Sequence, residues 1–211
     1  MSPSCPLCGH PAAQPYHRDN FRSYHQCAVC ALVFVPEQFQ LSATDERAYY
    51  DLHENSLEDA GYRRFLARCA APLVEALPPA SRGLDFGCGP APLLASMLSE
   101  AGHRVELYDA FYAPDRCVLK GEFDFIVATE VVEHLSRPGE VLGLLWSRLR
   151  EGGILALMTK LVISPERFAQ WHYIRDPTHI CFFSRETLRW LAARLGAGIE
   201  FVDSDVIFLR K

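Results

Sequence analysis

No stretch of this chain is long and apolar enough to span a bilayer. The start, Met1-Ser2-Pro3-Ser4-Cys5, has neither the basic residues nor the apolar run of a signal peptide. Positive charge is also scarce: 21 Lys and Arg against 26 Asp and Glu leave a formal charge of −5. The basic field that gathers nucleic acid is therefore missing. These absences lead to the expectation of a soluble, cytoplasmic protein without a membrane partner. Its 211 residues suffice for one well-buried domain and a small appendage.

Cysteine, by contrast, is plentiful: there are eight. In a reducing compartment such residues stay thiols unless they bind metal. Cys5-Pro6-Leu7-Cys8 and Cys27-Ala28-Val29-Cys30 give C-x2-C-x18-C-x2-C, the spacing of a four-thiolate zinc site. Each pair brings two sulfurs within reach of one ion, and Gly9 permits the tight knuckle. Residues 16–18, 21–24 and 32–35 are expected as short ribbon strands. So few residues build no core of their own, so a structural Zn2+ would supply much of the folding energy. His10, His17 or His25 in place of one sulfur is the open alternative. A redox pair would need a thioredoxin-like context, which is absent.

The segment Gly83-Leu84-Asp85-Phe86-Gly87-Cys88-Gly89-Pro90 reads as a strand end, a glycine turn and the approach to a helix. Glycines at 87 and 89 allow positive φ and close approach of a ligand. Pro92 suits the first helical position, and the free N–H groups of that helix favour an anionic group over the loop. The third glycine of a dinucleotide fingerprint would fall at position 92, which is Pro92. Asp85-x-Gly87-x-Gly89 instead resembles the D-x-G-x-G of class I methyltransferases that use S-adenosylmethionine (SAM). The resemblance implies that Asp85, Phe86, Gly87, Cys88 and Gly89 face the methionine end of the cofactor.

The rest of the chain alternates strand and helix, as a parallel-sheet domain does. A helix over 92–101 and a strand over 103–109 end at Asp109, twenty positions after Gly89. An acid there accepts ribose hydroxyls, with Ala110 beside it. The family's second helix and third strand are largely missing, because another strand begins by Phe123. Cys117-Val118-Leu119 is left as a vestigial strand, and Phe111 or Tyr112 as the group to stack on adenine.

Thr129-Glu130-Val131-Val132-Glu133-His134-Leu135 resembles the E-V-x-E-H segment after strand four of many small-molecule methyltransferases. That resemblance implies Glu130 and Val131 as cofactor neighbours and His134 as a candidate base, with a suitable unperturbed pKa. Asp176-Pro177-Thr178-His179, continuing to Ser184, resembles the family's D-x-T-H-x-x-F-[FY]-S and makes His179 the second candidate. Trp171, Tyr173 and Asp176 are candidates to shape an acceptor pocket. Tyr49, His53, Asn55 and Tyr62 are further candidates, from the segment that covers the cofactor in this family.

The expected fold is α/β: a Rossmann-like, mostly parallel sheet with helices on both faces, trimmed in its second helix and third strand, plus an N-terminal zinc-ribbon-like module. The divisions expected are 1–36 for the module, 37–80 for a linker and covering helix, and 81–211 for the methyltransferase domain. The expected activity is methyl transfer from SAM to an unidentified small-molecule acceptor. An RNA acceptor gripped by the ribbon, and a non-catalytic SAM- and zinc-binding protein, are the alternatives.

Overall fold

The computed structural model describes residues 2–52, 56 and 58–211. The chain begins with strands β1 (Ala13–Arg18), β2 (Ser23–Cys27) and β3 (Val33–Phe34), then helices α1 (Ala43–Tyr50) and α2 (Ala60–Ala76). Next come β4 (Arg82–Phe86), α3 (Leu93–Glu100), β5 (Arg104–Tyr108), β6 (Phe123–Thr129), α4 (Pro138–Arg148) and β7 (Leu149–Met158). The last elements are α5 (Pro165–Ala169), β8 (Cys181–Phe182), α6 (Arg185–Leu195), β9 (Gly198–Phe201) and β10 (Val206–Arg210). No helix among the described residues is long and apolar enough to cross a membrane.

Six strands form one sheet in the order β5-β4-β6-β7-β10-β9. The first four are parallel, while β10 runs antiparallel to both β7 and β9. Successive strand side chains point to opposite faces, and here both faces are apolar. Phe125 and Val127 of β6 join α2 and α3 through Leu66, Leu73, Leu94 and Leu98. Ile126 and Ala128 join α4 and α6 through Leu142, Leu145, Leu188 and Leu191. A strand buried on both faces between two helical layers is what makes the expected α/β fold stable.

Local signals account for the helix ends. Asp59 caps α2 by accepting from the Gly61 amide at 2.7 Å and the Tyr62 amide at 3.0 Å. Ser184 caps α6, which ends on left-handed Gly196. Pro92 lies one position outside α3, as its cap, rather than at the first helical position.

One expected strand does not form. Cys117-Val118-Leu119 forms no strand: residues Val118–Lys120 make a 3-10 turn. Upstream, the Asp109 carboxylate accepts from the Phe111 and Tyr112 amides and folds the chain back on itself. Gly152-Gly153 lies inside β7. There the chain's last residue extends the pairing, with Gly152 N donating to Lys211 O and Lys211 N to Gly153 O.

The N-terminal strands do not stand apart. β3 pairs with β8, giving a four-stranded sheet β1-β2-β3-β8. Arg22, only 7% exposed, donates to the carbonyls of Ile174, Asp176 and Pro177 at 2.7, 2.7 and 3.0 Å. The first cysteine knuckle lies against α4 so closely that a Cβ at Gly139 would sit 2.2 Å from Leu7 O. One apolar core runs from Cys5 and Tyr24 through Phe168 and Phe182 to Leu155.

Candidate active site and cysteine cluster

The chain steps from β4 outward to β5 and then returns to the other side of β4 as β6. In an open parallel sheet that reversal leaves a crevice at the strands' carboxyl ends. A cavity of about 710 Å³ occupies it, within the range of small-ligand sites. Its wall includes Phe86, Gly87, Cys88, Gly89, Asp109, Ala110, Glu130 and Val131. Gly87 has φ +78°, and a Cβ there would lie 2.4 Å from Val131 Cγ2, so only glycine fits. The Gly89 amide donates to Asp109 Oδ2 at 3.0 Å, and the amides of Phe111 and Tyr112 donate to Oδ1. A carboxylate has about four acceptor positions, so these amides orient Asp109 and leave it capacity for a hydroxyl from the cavity.

Asp85 is not part of the wall. It is 2% exposed, beneath the loop, held by the Ala95 amide. The side chain alternates inward while its neighbour Phe86 reaches the cavity. Burial pushes its carboxyl up to about 7. The unfolded chain ionises near the ordinary carboxylate value, so stability falls as pH rises between that value and about 7. At about 1.4 kcal/mol per unit, the loss is on the order of 4 kcal/mol. Urea unfolding of the cofactor-free protein is expected to show this decline between acidic and mildly basic pH. Asp85→Asn is expected to flatten it, and an unchanged slope in that variant would count against a buried, proton-holding Asp85.

A second group of polar side chains stands at the carboxyl end of β6. Glu130 has φ +52°, a left-handed backbone rare outside glycine and concentrated at functional sites. Its carboxyl is pushed well above the usual range by burial and by the charge of Glu133. Glu133 is fully buried; Tyr173 Oη donates to its Oε1. The Ile180 amide donates to Glu133 O at 2.8 Å and brings the loop carrying His179 against this turn. The rings of His134 and His179 are 4.7 Å apart. Their Nδ1 atoms face Thr178 O at 3.2 Å and Tyr173 O at 2.8 Å. A carbonyl only accepts, so each imidazole directs an Nδ1–H at that oxygen, and in the neutral ring the lone pair is then on Nε2. His179 Nε2 lies 3.9 Å from Asp176 Oδ2. Burial and the neighbouring His134 hold His179 below the usual imidazole range.

The two candidate histidines, far apart in sequence, thus meet, and both line the cavity. Tyr49, Tyr173 and Asp176 line it too, as does Tyr62. Trp171 does not: its ring packs at 4.9 Å on Tyr173 and 6.1 Å on Phe168, behind the wall. His53 and Asn55 lie outside the described residues. Sequence reasoning overlooked α1, which brings Glu46 and Tyr50 to the cavity, and also Lys160, His172 and Arg175. A signal for α1 was present: Ser42 and Asp45 form a cap, with Ser42 Oγ accepting from the Asp45 amide at 3.2 Å. Phe111 and Tyr112, the candidates to stack on adenine, also line the cavity.

At the other end of the chain, Cys5, Cys8, Cys27 and Cys30 offer four sulfurs, all within 4.8 Å of one another. Cys5 Sγ lies 3.4 Å from Cys30 Sγ, and Cys8 Sγ 3.4 Å from Cys27 Sγ. A tetrahedral ion with Zn–S near 2.3 Å sets its sulfurs roughly 3.8 Å apart, so the cluster fits one zinc ion with little adjustment. His10, His17 and His25 are not among the grouped ligands.

A family model described as a methyltransferase domain matches residues 56–200. A search of the curated proteins finds no match. Among solved structures, the chain is similar to the 1,6-didemethyltoxoflavin-N1-methyltransferase of Burkholderia thailandensis, with a TM-score of 0.55 and 17% identity, covering 94% of this chain and 99% of that one. It is similar to a SAM-dependent methyltransferase from Archaeoglobus fulgidus, with a TM-score of 0.56, 18% identity and coverage of 71% and 94%. A third is the magnesium protoporphyrin IX methyltransferase of Synechocystis PCC 6803, with a TM-score of 0.54, 17% identity and coverage of 83% and 96%. Identities this low speak to the fold alone, and the fold agrees with the family match. The chain belongs to this methyltransferase-domain family and carries the class I fold of SAM-dependent methyltransferases.

Proposed function

We propose that the crevice binds SAM and that the protein transfers its methyl group to a small-molecule acceptor. The observation that carries this reading is the coupling of the two glycines to Asp109. Gly89 N is bonded to the carboxylate that lines the same cavity, at the carboxyl ends of adjacent parallel strands. In this reading the Gly87–Gly89 loop faces the methionine part, Asp109 takes the ribose hydroxyls, and Phe111 or Tyr112 stacks on the adenine. Glu130 and Val131 border the sulfonium.

The cavity is bordered by α1 and the loop around residues 172–179, and its volume suits a small acceptor. Two of the similar structures hold, by name, enzymes of small heterocycles, a didemethyltoxoflavin and a magnesium porphyrin. Arg22, one of few cations near the cysteine module, is engaged by three carbonyl oxygens and is not available to a phosphate backbone. The acceptor's lone pair forms the new bond to the methyl carbon as the C–S bond breaks toward sulfur, releasing S-adenosylhomocysteine. Because the sulfonium is already a good leaving group, alignment is the main requirement. His134 or His179, through Nε2, would accept the acceptor's proton, an effect of about 10²–10⁴-fold.

In the same reading the cysteine cluster holds one structural Zn2+, with all four positions taken by sulfur. Residues 1–36 form a module that braces the loop bearing His179. Calorimetric titration of S-adenosylhomocysteine into the intact protein tests the cofactor assignment. Saturable binding with Kd near about 1 μM (roughly −8 kcal/mol) is expected. Folded protein that binds neither SAM nor S-adenosylhomocysteine would remove the methyl-transfer reading.

A further inference from the structure

Glu133, His134 and His179 each offer a ligand atom, and the three atoms lie within 4.8 Å of one another. Glu133 is completely buried, yet its Oε2 has no hydrogen-bond partner among the described residues. Tyr173 serves only the other oxygen. A carboxylate taken out of water with one oxygen unmet is costly, and a cation at that oxygen removes the cost.

The histidines are prepared in the matching way. Each donates Nδ1–H to a backbone carbonyl, Thr178 O for His134 and Tyr173 O for His179. A histidine that ligates metal characteristically anchors its other nitrogen like this, which fixes the tautomer and aims the lone pair. The Ile180 amide to Glu133 carbonyl bond holds the two chain segments together, so the trio is set by backbone contacts rather than by mobile side chains.

We propose that Glu133, His134 and His179 form a binding site for one first-row divalent cation beside the methyl-transfer cavity. One carboxylate oxygen and two imidazole nitrogens suit such ions. Three protein ligands leave positions open, the arrangement of reactive rather than closed sites. His134 and His179 line the cavity, so the open positions face the acceptor.

The site selects an oxygen nucleophile, above all a hydroxyl with a second oxygen beside it that can chelate. The cation acidifies the bound hydroxyl, whose proton leaves to solvent. The resulting oxygen lone pair forms the C–O bond to the SAM methyl as the C–S bond pair passes to sulfur. With the cation bound, its acidifying effect replaces the histidine base of the cation-free reading, and both histidines serve as ligands and positioning groups. This acceptor class rests on the methyl-transfer reading; the cation site does not.

The test is Mn2+ binding by the full-length protein, followed by loss of the free-ion electron paramagnetic resonance signal, with S-adenosylhomocysteine binding measured on the same samples. Mn2+ is chosen because thiolates are poor ligands for it, so the cysteine cluster does not compete. One Mn2+ per chain is expected, weakened more than about tenfold in His179→Gln and His134→Gln. Glu133→Gln should behave likewise. If that buried change prevents folding, judged by circular dichroism, the two histidine variants decide. No stoichiometric binding up to about 1 mM Mn2+, or binding unaltered in both histidine variants, overturns the proposal. S-adenosylhomocysteine binding without Mn2+ binding would remove the cation site alone; the reverse would remove the methyl-transfer reading alone.

Discussion

Asp109→Ala is expected to weaken S-adenosylhomocysteine binding at least about 100-fold, equivalent to nearly 3 kcal/mol. Two losses combine. The alanine removes the carboxylate that is to accept ribose hydroxyls, and hydrogen bonds to a charged group contribute about 1.5–3 kcal/mol each. It also frees the amides of Gly89, Phe111 and Tyr112, which converge on that carboxylate and join the glycine loop to the turn after β5. Asp109→Asn keeps one acceptor oxygen and should fall between the two. Calorimetry reads both effects directly. A change below about threefold in the alanine variant, in a folded protein, would contradict the role given to Asp109.

Cys27→Ser is expected to strip the cluster of zinc and to lower the unfolding midpoint by more than about 10 °C. For a chain of this size each kcal/mol moves the midpoint by roughly 2–4 °C, and structural zinc sites supply far more than that. Cys27 is 1% exposed and sits 3.4 Å from Cys8 through sulfur. The damage should not stay local. β2 leads through β3 to β8, and Arg22 holds the carbonyls of Ile174, Asp176 and Pro177. Those residues flank Tyr173 and His179, so loosening the module loosens the polar end of the cavity. Metal analysis and thermal melts check this. Full loss of zinc with an unchanged midpoint would show that the cluster carries none of the stability.

How far the sequence reached differs from element to element. The strand–glycine–helix segment at 83–98 was legible because its signals are local, the glycine conformations above all. α1 was missed because only its cap spoke for it. Its residues are half-buried or exposed, so no apolar period marks a core face. Asp85 was assigned to the ligand side from motif alone. Whether a side chain at a strand end meets the cavity or the helix beneath depends on strand alternation in the folded sheet. Trp171 was assigned by residue type, and aromatic packing on Phe168 and Tyr173 decided otherwise.

The sequence by itself determined the α/β class, the glycine loop with Asp109 and the grouping of four cysteines. Each is written in spacings over which the backbone has few choices. Only the tertiary structure decided that Glu133, His134 and His179 meet, since the loop of residues 172–180 reaches the end of β6 through the Ile180–Glu133 backbone bond. It alone decided, too, that the cysteine module is built into the domain. That union is made by β3–β8 pairing and by one buried arginine on three carbonyls, and long-range backbone contacts of this kind leave no periodic mark in the chain.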